Sequence, residues 1–196
     1  MKVTLRNDSA EIDGYVNAVG RESRPLRDKD GYFTETIQPG AFARALTRGT
    51  RKMLLNHDSG RVLGNEGENL ELREDAVGLY AQSKVTDAET IDKARNHELR
   101  GWSFGFRPIK ERFEDKDGMR HRIVEDMDLF EVSLIDSRKI PAYAATSVYT
   151  RDAEGEDDAV EYRTMEMQDV DLVECEEREQ IDYSPYTSVI DELRQS

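Results

Sequence analysis

The chain has 196 residues, 37% hydrophobic and 36% charged, with a formal net charge of −14 and a single cysteine. One cysteine excludes an internal disulfide and a cysteine metal cluster, and no stretch approaches the roughly 20 apolar residues of a membrane span. The opening M-K-V-T-L-R-N lacks the apolar run of a secretory leader, so a soluble protein of a reducing compartment is expected.

Residues 11–20, E-I-D-G-Y-V-N-A-V-G, mix strand formers with glycine and predict an opening strand. The segment T-I-Q-P-G-A-F-A-R-A-L-T-R-G-T predicts a short helix over about 41–48. There Phe42 and Leu46 lie four apart on one face and Gly49 ends the turn. M-L-L within 51–56 reads as a strand closed by His57-Asp58-Ser59-Gly60. Two strands follow near 70–72 and 79–85, joined by the turn-like E-D-A-V-G. Next, D-A-E-T-I-D-K-A-R-N-H-E-L-R is polar, with Ile91, Ala94, Arg95 and Leu99 at three-to-four spacing. It predicts an amphipathic helix capped by Asp87. Residues 104–109 alternate like a strand, which places Ser103 at a helix-to-strand junction. A further strand pair is expected at about 120–125 and 129–135. In its E-V-S-L-I, Val132 and Leu134 share one face and Glu131, Ser133 and Ile135 the other. Short strands with two or three helices between them predict an α+β domain, mainly an antiparallel β-barrel, ending near 146–150.

From Arg151 the composition changes. Residues 151–196 hold 16 Asp and Glu against 4 Lys and Arg, a net of −12, while 1–150 hold 26 against 24, a net of −2. The expected organisation is a domain over 1–150 and an acidic tail over 151–196, disordered or marginally helical at about 160–179. The nearly neutral body lacks the basic stripe of a nucleic-acid binder.

One short motif raises a chemical question. G-W-S-F-G, around Ser103, matches G-x-S-x-G, the turn that exposes a nucleophilic serine in α/β-hydrolases. That fold needs a strand before the serine and a helix after it, and here the order is reversed. Its base should also follow late in the chain, where only His121 is found, in a charged hairpin-like turn. Serine still needs a base. His97, inside the polar helix, and His121 read as solvated surface residues. His57 ends an apolar strand, at a rim where a rigid element can present a side chain. A metal reading of His57 with Asp58 lacks further ligands at H-x-x-x-H or comparable spacing. Glu131 is open to two readings: an outward position on a half-exposed strand, or a carboxylate that orients a histidine.

The motifs Q-P-G-A-F, L-L-N-H-D, L-G, E-D-A-V-G-L, G-W-S-F-G-F and F-E-V-S-L-I-D…P-A-Y-A-A occur in this order over about 12–145. Together they resemble the prohead maturation proteases of tailed bacteriophages, serine proteases thought to share a fold with herpesvirus assemblins. The resemblance implies an endopeptidase that cuts the scaffolding portion of the major capsid protein, and itself by autocleavage. The resemblance also implies action in the host cytoplasm, inside the assembling prohead. Ser103 maps to the nucleophile and His57 to its base. Glu131, 28 residues beyond the serine, stands where assemblins carry a second histidine and is the implied orienting acid. Backbone amides at 137–139 are the implied oxyanion donors, and Gly101 and Gly105 allow close backbone approach beside the serine. No cofactor, metal, nucleic acid or membrane is expected, and self-association is left open. The alternative is a non-enzymatic scaffold or virion component on a related barrel. The tail reads as a solubilising appendage, or as a tether or plug for the site.

Overall fold

The computed structural model describes residues 1–137, 160–166 and 170–174. In chain order its elements are β1 (Lys2–Leu5), β2 (Ala10–Ala18), β3 (Leu26–Asp28), β4 (Gly31–Ile37), α1 (Ala41–Leu46), β5 (Lys52–Leu55), β6 (Asp58–Asn65), β7 (Leu70–Glu74), β8 (Gly78–Val85), α2 (Ala88–Arg95), β9 (Leu99–Lys116), β10 (Met119–Asp136), β11 (Glu161–Glu166) and β12 (Asp171–Glu174).

Two sheets result. One runs β12-β1-β2-β8-β7; the other runs β11-β9-β10-β4-β3, with β5 pairing to β10 and carrying β6. The expected barrel is not closed among the described residues, and the pairing is mixed. β10 runs parallel to both β4 and β5, and β1 runs parallel to β12. The β-rich α+β class stands, with two short helices.

One apolar core lies between these elements. It takes Val3 from β1, Ile12 from β2, Leu79 from β8, Trp102, Phe104 and Phe106 from β9, and Val132 and Leu134 from β10. Period-two alternation produces this sorting: β7 is buried at Leu70 and Leu72 and exposed at Glu71. Helix α1 seats Phe42 edge-on against Phe104, with centroids 5.3 Å apart. The last helical carbonyls, those of Ala45 and Leu46, accept from the buried Arg51, which also donates to Gly49 O just beyond the helix. In α2, Asp87 accepts from Thr90 N at 2.8 Å, the expected N-cap.

Several expectations are corrected. The strand pair at 120–125 and 129–135 is one 18-residue strand, β10. It forms a long hairpin with β9 through Asp117-Gly118, both at positive φ, the two-residue turn that matches strand twist. Ser103 lies inside β9, not at its junction with the helix. The turn after β5 is Asn56-His57, and Asp58 already belongs to β6. The marginal helix at 160–179 is replaced, where described, by strands β11 and β12. Acidic composition hid their alternation. His121 is buried rather than solvated, with its Nδ1 2.7 Å from Thr34 Oγ1. No described helix is long and apolar enough to cross a membrane.

Candidate active site

Strands β9, β10 and β11 and the tight turn between β5 and β6 bring the candidate residues together. Asn56 and His57 have φ of 56° and 61°, the left-handed region that non-glycine residues seldom occupy. The turn is held by its surroundings. Asn56 N donates to Leu134 O at 2.8 Å, Asp136 N donates to Asn56 Oδ1 at 3.1 Å, and His57 N donates to Ser133 Oγ at 3.2 Å. The imidazole is thus fixed at the end of a two-residue hairpin against β10.

Glu131 reaches the same place because of a bulge. Pairing with β9 skips Phe130, so Leu129 faces Phe106 while Glu131 faces Gly105. The extra residue turns Leu129 into the core and Glu131 onto the opposite face. There, Glu131 Oε1 lies 2.6 Å from His57 Nδ1, and its Oε2 accepts from Ser133 Oγ at 2.6 Å. A carboxylate on Nδ1 selects the tautomer that keeps the Nε2 lone pair free. Gly105 makes room for this: a Cβ there would lie 2.8 Å from Glu131 Oε1 and 2.9 Å from the Tyr162 ring.

Ser103 pairs with Ser133 across the ladder, so both hydroxyls share the face that carries Glu131. Its neighbours Trp102 and Phe104 are fully buried on the core side, as their alternation predicts. The Ser103 side chain is itself 0% exposed. On its other flank lies β11, which pairs Thr164 with Ser103 and Tyr162 with Gly105. Ser103 Oγ donates to Arg163 O at 2.8 Å, and Thr164 Oγ1 donates to Ser103 Oγ at 3.1 Å. The Tyr162 ring sits 4.3 Å, centroid to centroid, from the His57 ring. The structure therefore joins His57 to Glu131 directly. It sets Ser103 on the same sheet face, with its hydroxyl bonded to β11 rather than to the imidazole.

The opposite face of β11 is held by charge. Arg163 donates to both oxygens of Glu35, at 2.7 and 2.8 Å, and to Glu161 at 2.6 Å. Arg122 donates to Glu161 at 2.7 and 2.9 Å and to Glu35 at 3.1 Å. All four side chains are buried. Burial alone would raise the Glu161 carboxyl, but hydrogen bonding to Arg122 and the charge of Arg163 hold it below the usual carboxylate range. Arg122 and Arg163 are likewise held protonated against their burial by these acids.

Of the implied oxyanion donors, Ser137 N is committed to Glu98 O at 2.9 Å, and residues 138 and 139 lie outside the described residues. His97 is exposed, as read from sequence. Among the described residues no set of three His, Cys, Asp or Glu side chains gathers as a metal site. Sequence reasoning missed Ser133, Tyr162, Arg163 and Thr164 as neighbours of the site. For Ser133 a signal existed, its place two residues from Glu131 on one strand face. For the other three the acidic setting concealed it.

No curated protein and no solved structure matches the chain. A family model described as caudovirus prohead serine protease matches residues 1–160, a span that contains β9, β10 and the Asn56-His57 turn. This chain therefore belongs to the caudovirus prohead serine protease family.

Proposed function

We propose that this chain is a serine endopeptidase in which Ser103 is the nucleophile, His57 its general base and Glu131 the acid that orients the imidazole. The observation that carries the reading is the 2.6 Å contact between His57 Nδ1 and Glu131, on the sheet face that also bears Ser103. In the proposed cycle His57 Nε2 takes the Ser103 proton as Oγ attacks the scissile carbonyl. The resulting imidazolium faces the Glu131 carboxylate and returns its proton to the leaving amine, which departs as the C–N bond breaks. Water, deprotonated by the same nitrogen, then releases the acyl group. Backbone donors at the oxyanion would supply about 3 kcal/mol each.

The substrates in this reading are the scaffold portion of the major capsid protein and the enzyme itself, cut inside the prohead in the host cytoplasm. An assemblin-like fold and the division at about residue 150 belong to the same reading. Family membership supports the capsid setting. Co-expression with the cognate capsid protein tests it: Ser103→Ala and His57→Ala should each abolish processing, and full processing by either removes the proposal.

A second reading, a non-enzymatic scaffold or virion component, is favoured by one observation. The Ser103 hydroxyl is fully buried and bonded to β11 instead of His57. A fluorophosphonate probe applied to a variant in which β11 is released from Ser103 discriminates the two, because only an activated serine is labelled.

A further inference from the structure

Among the described residues strand β11 sits at the outer edge of its sheet, so β9 would become the edge strand if β11 left. An edge strand offers unpaired N–H and C=O groups and takes up extended peptides by strand addition. The stretch of β9 that β11 covers, from Gly101 to Phe106, is the stretch that carries Ser103. A substrate must bring a backbone carbonyl to that hydroxyl. In this structure the carbonyl already there is that of Arg163, held at 2.8 Å. As the donor in that bond, the serine presents its proton and not a lone pair, so the strand is held without being attacked.

We propose that residues 161–166 are a pseudosubstrate, lying in the strand site that substrate must occupy, and that Glu35 and Arg122 read an acid and an arginine two residues apart in whichever strand lies there. The inference rests on the serine-protease reading above.

Both faces of β11 bear on it. Toward the site, Thr164 donates to the nucleophile candidate and Tyr162 lies against the imidazole. Toward the core, Arg163 forks onto both Glu35 oxygens and Glu161 takes two bonds from Arg122. The Arg163 guanidinium also lies 5.1 Å from the Phe106 ring centroid. Two buried charges in the incoming strand meet two of opposite sign in the body. Without them Glu35 and Arg122 would keep each other, and Arg122 would keep Glu111, but each would lose its two bonds to β11, which favours Glu-x-Arg over strands that lack the pair. The partner this surface fits is therefore an extended peptide carrying that pair, in this chain or in a protein it cuts.

The test uses the full chain. Arg163→Glu sets an acid against Glu35 and Glu161 and should expel β11. The expected result is at least a tenfold rise in fluorophosphonate labelling of Ser103, with faster amide exchange at 101–106. A peptide spanning 160–166 should reverse both effects, and the same peptide with alanine at 161 and 163 should not. Exchanging the charges, Glu35→Arg with Arg163→Glu, should return labelling toward wild type. Tyr162→Ala leaves the buried charges in place and should give a smaller rise of the same kind, which covers the case in which Arg163→Glu fails to fold. Labelling and exchange at 101–106 equal to wild type in a folded variant would overturn the proposal, as would equal blocking by the alanine peptide. Faster exchange that the peptide reverses, with no labelling in any variant, supports the strand site and refutes Ser103 as a nucleophile.

Discussion

Glu131 serves two neighbours at once: one oxygen meets the His57 ring and the other takes the Ser133 hydroxyl. Because Ser133 also receives the His57 backbone N–H, imidazole, carboxylate and hydroxyl form a closed ring. In the proposed cycle, Glu131→Gln, which keeps the shape of the side chain and removes its charge, would deprive the imidazolium of its counter-charge and its preferred tautomer. A fall in kcat of about 10²–10⁴ is expected, with KM nearly unchanged, by steady-state hydrolysis of a capsid-derived peptide. Gly105→Ala acts through space rather than charge. The added methyl would press on Glu131 Oε1, and kcat should fall about 100-fold while far-UV circular dichroism stays unchanged. Residue types left Glu131 open between an outward position and an orienting acid, and only the resemblance set it beside His57, where the structure places it at 2.6 Å. Their separation was not legible. It depends on the bulge at Phe130 and on a left-handed turn at Asn56-His57, two backbone irregularities that no hydrophobic period announces.

The strands differ in what holds them. β9 and β10 join through a turn at Asp117-Gly118 and a long ladder, a local pairing that Asp-Gly already signals. Helix α2 was equally legible, since Asp87 and the Ile91–Ala94 spacing act within one turn. β11 is of another kind. Its inward residues, Glu161 and Arg163, look like surface charge until Glu35 and Arg122 are placed beneath them, and Glu35 lies 128 residues from Arg163. Only the folded chain supplies that partner. Acid should therefore loosen this element first. Glu161 is facing Arg122, Arg163, Glu35 and, through Arg122, Glu111, and its docked carboxyl lies below its ordinary value. The released strand thus takes up a proton more readily than the docked one. Docking is at full strength above the ordinary glutamate pKa of about 4.3 and is lost as pH falls through the lower docked value. In a pH titration by NMR, amide signals of 101–106 and 161–166 should move together below about pH 4, before those of β2 and β8.

Across the whole molecule, one core serves both sheets, and Phe104 stands near its centre between Phe42 and Phe106. Phe104→Ala should cost about 3–5 kcal/mol and lower the midpoint of thermal unfolding by several degrees or more, read by calorimetry. Charge is distributed differently from apolar mass: the net of −12 over 151–196 sits beside a body of −2. Part of that acidic stretch nevertheless edges both sheets, β11 on one and β12 on the other. The order of synthesis gives this arrangement a consequence. Thr164 follows Ser103 by 61 residues, so at about 5–20 residues per second the ribosome needs about 3–12 s to make the strand that covers the serine. Through that interval the nascent sheet has an open flank, on which a neighbouring copy's late strand could settle in place of its own.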